Sequence, residues 1–162
     1  MRKITHIIVH CSDSRWGDRA VIDTWHKARG MNGIGYNDVI GNPYPTAADF
    51  NAKRPVPGHD GKLLGGREIG GGGSDAAIGA HAYGFNANGL RICLIGRKGT
   101  FTDRQLAVLI DWLVGKALAY GVPVERILGH CETEHGRAKT CPEIDMAWLR
   151  GEVRKRLALA GR

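Results

Sequence analysis

Two histidines and one cysteine stand out for the chemistry they could do together. His10 closes one apolar run, His130 closes another, and Cys141 directly precedes a proline. Two imidazoles and a thiolate are a donor set suited to zinc, and a tetrahedral ion held by three protein ligands keeps its fourth position open. Water in that position has its pKa lowered toward about 7, which gives hydroxide at neutral pH and makes the combination hydrolytic. Lys139 adds to it. In an extended 139–141 segment alternate side chains share a side, so Lys139 and Cys141 point the same way and an ammonium sits beside the ion. Such a cation stabilises the charge that develops on a carbonyl oxygen during amide hydrolysis. The same alternation sends Cys11 away from the face used by His10, and Cys131 away from that of His130, leaving one ligand per pair. Cys131, His135 and Cys141 form a rival, purely structural zinc set.

These residues need elements to hold them. The β-branched run 4–9 predicts a buried strand that delivers His10 to its end. Residues 18–29 predict a helix with Val21, Ile22, Trp25 and Ala28 as its apolar stripe, stopped by Gly30 and Gly33. A second strand is predicted over 35–40, and 42–60, with four prolines and little periodicity, reads as a loop. Residues 62–67 could close a hairpin, and the glycine run at 70–74 reads as a surface loop rather than a domain boundary. A strand over 90–95 follows. Thr102 and Gln105 form a capping box that opens a helix over 103–120, buried through Leu106, Leu109, Ile110, Leu113 and Ala117 and ended by Gly121 and Pro123. A short strand over 126–130 and a last helix over 144–159, bearing Trp148, Leu149, Val153 and Leu157, complete the chain. The order predicts an α/β fold: a single domain over 1–162 with a central mixed β-sheet flanked by helices.

Composition sets further bounds. At 162 residues one hydrophobic core suffices, and no apolar run has the length of a signal peptide or a stable membrane insertion. The four cysteines, Cys11, Cys93, Cys131 and Cys141, are too irregularly spaced for a disulfide scaffold and point to a reducing compartment. A net charge of +7 favours an anionic partner such as nucleic acid, a phospholipid surface or an acidic wall polymer. The basic residues are scattered except at 150–156, which argues against a nucleic-acid groove. Glycosidase chemistry has no recognisable carboxylate pair, and the HExxH metalloprotease motif is absent.

Eight blocks then fall into a familiar order: Val9-His10-Cys11-Ser12, Trp25-His26-Lys27, Gly35-Tyr36-Asn37, Gly79-Ala80-His81-Ala82, Gly84-Phe85-Asn86, Leu94-Ile95-Gly96, Gly129-His130 and Lys139-Thr140-Cys141-Pro142. In this the chain resembles the zinc-dependent N-acetylmuramoyl-L-alanine amidases of the type 2 family, which includes short phage lysozymes of amidase type and animal peptidoglycan-recognition proteins. The resemblance implies one zinc per chain held by His10, His130 and Cys141, with Tyr36 and Lys139 as catalytic residues and His81 and Arg29 contacting substrate. His26 belongs to a family motif and reads as structural; His6, His59 and His135 match no role. The resemblance further implies a peptidoglycan substrate, a monomer, and a phage or prophage endolysin. Such an enzyme is made in the host cytoplasm and released to the wall by a holin-type pore. Two other readings share the fold: a peptidoglycan-binding protein without catalysis, to which the presence of Cys141 is opposed, and a regulator of a polymerase. The chain departs from the family at Gly30-Met31, where many relatives have Gly-Trp, at Arg91 in place of a small residue, and in the longer 42–60 and 70–77 stretches.

Overall fold

The structure is a computed structural model that describes residues 3–68 and 87–161. The predicted 70–74 loop, all of the 70–77 stretch and His81 lie outside the described residues. The centre is a sheet of four strands: β1 (His6–Cys11), β2 (Asp38–Ile40), β3 (Gly89–Leu94) and β4 (Ile127–Gly129), in the order β2-β3-β1-β4. Among the described residues four α-helices surround it: α1 (Arg19–Ala28), α2 (Ala47–Asn51), α3 (Asp103–Tyr120) and α4 (Met146–Leu159).

The α/β class with a central sheet flanked by helices holds, and among the described residues the sheet is parallel where a mixed one was expected: β1 pairs in parallel with β3 and β4, and β2 in parallel with β3. The segment taken as half a hairpin explains the difference. It runs back along β2 through Gly41 N–H to the Lys62 carbonyl and Leu64 N–H to the Val39 carbonyl, but forms only an isolated antiparallel bridge, Ile40 to Leu63. Parallel strands need both faces covered, and both are. Ile7 and Val9 of β1 and Leu90, Ile92 and Leu94 of β3 join Leu109, Leu113, Leu149 and Val153 beneath α3 and α4. On the opposite face Cys93 packs with Ile22 of α1, Ile34 and Val39. Alternation along β1 therefore turns His10 toward the α1 side.

The helices follow their local signals with two exceptions. Asp18 caps α1 by accepting from Val21 N–H at 2.8 Å, and the Thr102–Gln105 capping box opens α3 as predicted. The buried residues of α1 are Ile22 and His26, while Ala28 is exposed, so its inner face is rotated from the expected stripe. The predicted loop 42–60 contains α2, capped by Thr46. Buried Gln105 joins α3 to the sheet, its Nε2 donating to the Ile95 carbonyl at 2.8 Å and to that of Ile40 at 3.3 Å.

Candidate metal centre

Each of the three proposed ligands is delivered by a different piece of backbone. His10 sits within β1 at 2% exposure, its register partner Cys93. His130 is not on β4, as expected, but opens a 3-10 turn (His130–Glu132) immediately after it, so strand alternation does not decide where Cys131 points. Gly129 makes that turn possible: a Cβ there would come within 2.8 Å of Pro142 Cδ and 3.0 Å of Met146 Cγ, so only glycine lets the Cys141 segment pack this close to β4. The Cys131 N–H donates to the Cys141 carbonyl at 2.8 Å and ties the two ligand segments together.

A second clamp holds the His130 turn to α4. Glu132 accepts from Gly129 N–H at 2.8 Å and receives a two-pronged contact from Arg150 at 2.8 and 2.9 Å, while Arg150 also donates to the Ile127 carbonyl at 2.9 Å. The Arg150 guanidinium beside Glu132 holds its carboxyl below the usual range. Much of the basic 150–156 cluster is neutralised in the same way, with Arg154 on Glu125, Lys155 on Glu152 and Arg156 on Asp111.

Ligand atoms of His10, His130 and Cys141 all lie within 4.8 Å of one another, the cluster of this kind found among the described residues. Cys141 Sγ is 3.7 Å from His10 Nδ1. Two ligands on a tetrahedral zinc, at about 2.3 Å for sulfur and about 2.0 Å for nitrogen, stand roughly 3.5 Å apart, so this spacing fits a shared ion. Burial pushes the His10 imidazole well below its ordinary pKa and that of His130 down as well, so both rings are neutral with a lone pair to offer. The Cys11 thiol, hydrogen-bonded to Cys141, and burial push the Cys141 thiol upward. A metal ion reverses that preference, because a coordinating thiol gives up its proton. The three residues could therefore hold a metal ion. The rival set with His135 is not brought together.

The cluster lies in the wall of a cavity of about 540 Å³ that also touches Cys11, Trp25, His26, Arg29, Tyr36, Lys139 and Glu143. Tyr36 stacks obliquely on His10, ring centroids 5.0 Å apart, and burial pushes its phenol well above its ordinary pKa, so it stays protonated. His26 accepts from Gly35 N–H at 2.9 Å through Nδ1, fixing the backbone next to Tyr36. Lys139 and Arg29 are both exposed at the cavity rim. Sequence reasoning turned Cys11 away from the site, yet Cys11 lines the cavity, and its N–H donates to Cys141 Sγ at 3.3 Å. Alternation fails there because β1 ends at Cys11. Glu143 was missed altogether: its carboxylate accepts from Lys98 N–H at 2.5 Å and from Thr140 Oγ1 at 3.2 Å, pinning the segment that carries Lys139 and Cys141. No spacing rule points to it.

Comparison with known proteins agrees with this arrangement. A family model described as N-acetylmuramoyl-L-alanine amidase matches residues 1–144. The chain is 30% identical over 159 residues to the endolysin of Escherichia phage T7, covering 91% of this chain and 87% of that one. It is likewise 30% identical over 160 residues to the endolysin of Enterobacteria phage T3, with the same coverage. Among solved structures, the N-acetylmuramoyl-L-alanine amidase LysC from Clostridium intestinale superposes with a TM-score of 0.69 at 22% identity, covering 97% of this chain and 87% of that one. Drosophila PGRP-LB superposes with a TM-score of 0.62 at 21% identity, over 98% and 81%. At such identities the structural likeness speaks for the fold.

Proposed function

Because the chain belongs to the N-acetylmuramoyl-L-alanine amidase family, whose members cut the amide between N-acetylmuramic acid and L-alanine, we propose that residues 1–162 form one catalytic domain that works on peptidoglycan as a zinc-dependent phage endolysin. The observation that carries the zinc is the convergence of His10, His130 and Cys141, with donor atoms within 4.8 Å, on an open cavity. When bound, the ion supplies a Lewis acid that polarises a carbonyl and acidifies water.

The surrounding residues perform the rest. The cavity admits the muramoyl-alanine junction, and its open side leaves room for the chain on either hand. Tyr36, kept protonated by burial, donates its hydroxyl hydrogen to the oxygen on which charge develops. Lys139, on the segment pinned by Glu143, brings its ammonium to the same side. Both act on the transition state more than on the bound amide, which is what accelerates the step. Arg29 contacts the substrate from the rim, and His81 belongs to the same substrate-binding set.

No helix among the described residues is long and apolar enough to cross a membrane. In this reading the monomeric enzyme is made in the host cytoplasm and meets the wall after a separate holin-type protein opens the way, with no nucleic acid as partner. The test is product analysis. Purified protein should carry about one zinc per chain and release N-terminal L-alanine from peptidoglycan without new reducing ends. New reducing sugar would identify a glycosidase and reject the amidase assignment.

A further inference from the structure

The long 42–60 stretch, which departs from the short relatives, is tied by hydrogen bonds to the loop after β1, and each of the two segments carries exposed aromatic surface. Gly17 N–H donates to the Tyr44 carbonyl at 2.9 Å, Asn42 Nδ2 donates to the Arg15 carbonyl at 2.9 Å, and Tyr44 N–H donates to Asn42 Oδ1 at 3.0 Å. Trp16 meets Trp25 edge to face, centroids 5.6 Å apart. Tyr44 meets Phe50 in the same manner at 5.5 Å, and the Arg15 guanidinium carbon stands 6.0 Å over the Phe50 ring. All four rings are half-buried, so each keeps part of its surface in solvent. Trp25 also lines the cavity of the metal centre, so the Trp16–Trp25 pair adjoins it, and the Tyr44–Phe50 pair is held beside Trp16 by the Gly17 N–H to the Tyr44 carbonyl.

We propose that Trp16, Tyr44 and Phe50, continuing from Trp25, form a shelf that binds the glycan strand of peptidoglycan on the sugar side of the cut bond. The inference rests on the amidase reading. The scissile amide joins a sugar to a peptide, so the two parts of the substrate leave the metal centre in opposite directions. One flank of the cavity, residues 138–143, is charged through Lys139 and Glu143, groups that match the amines and carboxylates of a stem peptide. The other flank is the aromatic shelf. A pyranose offers an apolar C–H face and a rim of hydroxyls, and the positive C–H edges complement the negative π-faces of tryptophan, tyrosine and phenylalanine. Arg15, exposed at the far end, can donate to the hydroxyl rim. The loops sit at the right distance. Both follow the C-terminal ends of parallel strands, and β2 stands two strand spacings, about 10 Å, from β1. A substituent extending from the reacting bond reaches that far, while the bond itself does not.

The experiment uses the full zinc-loaded chain with two substrates, polymeric peptidoglycan and a soluble muramoyl dipeptide carrying one sugar, and with peptide-free β-1,4-linked N-acetylglucosamine tetrasaccharide as a binding probe. Tetrasaccharide should shift the Trp16 indole N–H resonance saturably, and Phe50→Ala should weaken that titration. In Trp16→Ala and Phe50→Ala the ratio of kcat/KM on polymer to kcat/KM on the dipeptide should fall about tenfold, the scale of losing one aromatic contact. Trp16→Phe, which keeps a ring, should restore most of the ratio and guards against misfolding of the alanine variant. An unchanged ratio in both alanine variants overturns the shelf. So does a titration by free stem peptide that matches or exceeds that by sugar. If the wild type releases no L-alanine from either substrate, the amidase reading fails instead, and the sugar titration still reads the shelf on its own.

Discussion

Cys141 Sγ stands 3.7 Å from His10 Nδ1 although 131 positions of sequence separate them, and the same sulfur accepts the Cys11 N–H at 3.3 Å. The thiol is thus placed by a strand at one end of the chain and a loop near the other. Cys11 touches it both through its thiol and through this N–H, and only the N–H survives replacement of the side chain.

That contrast sorts the cysteines. Cys141→Ser removes a ligand and should lower zinc affinity by more than the roughly 10–100-fold lost when an outer partner of a ligand is deleted. Cys11→Ser keeps the N–H and should keep one zinc per chain. Cys93→Ser, fully buried with its Sγ 3.7 Å from the Leu94 carbonyl, should retain the metal while losing about 1–3 kcal/mol of stability for a buried hydroxyl. Metal analysis and urea unfolding read both quantities; equal zinc loss in all three variants contradicts the ligand assignment.

Lys139→Ala should leave zinc content unchanged, since the ammonium is exposed and bonded to none of the ligand side chains in the structure. Turnover should fall about hundredfold, the scale of removing one group that stabilises an oxyanion. A kcat within twofold of wild type takes Lys139 out of the mechanism.

Tyr36→Phe is the sharper test of hydrogen bonding. The ring contacts to His10 at 5.0 Å and His26 at 5.1 Å survive the change, so fold and metal should too. Only the hydroxyl is lost, and kcat should drop by about 10²-fold with little effect on KM. A rise in KM alone assigns the phenol to ground-state binding.

Glu132→Ala opens the clamp behind His130, takes the acceptor from the Gly129 N–H and leaves Arg150 with the Ile127 carbonyl but no carboxylate. Stability should fall by about 1–3 kcal/mol. Zinc should bind about 10–100-fold more weakly because the His130 turn is no longer held. Arg150→Ala should do nearly the same, and the double variant little more, since the two side chains act as one unit. Additive losses in chemical unfolding and zinc titration would separate them.

Much of the molecule can be read without coordinates, for reasons local to each segment. Helix α3 is an example: its capping box, its apolar period and Gly121 at φ +64 all lie within one stretch of chain, and the structure reproduces its limits. The ends of β1 and α4 shift by only about two residues from expectation. The ordered motifs from Val9 to Pro142 carry the family, which the match over residues 1–144 shows. Where the reading went astray, partners distant in sequence had decided. The inner face of α1 turned because His26 reaches Gly35 N–H, nine residues away. α2 is the exception: its Thr46 cap on Asp49 N–H is local, and the prolines around it masked a signal that the sequence carried.

By itself, then, the sequence determined most of the elements, the family they belong to, and which side chains are chemically able to bind an ion, because periodicity, capping and residue type are properties of neighbours along the chain. Only the tertiary structure decided that the sheet is parallel, that Cys11 faces the cavity, and that Glu132 with Arg150 and Glu143 with Lys98 hold the ligand segments. Those outcomes depend on strand order and on loops returning across many tens of residues. Contacts of that kind are selected by packing both faces of the sheet at once, and no local pattern encodes them.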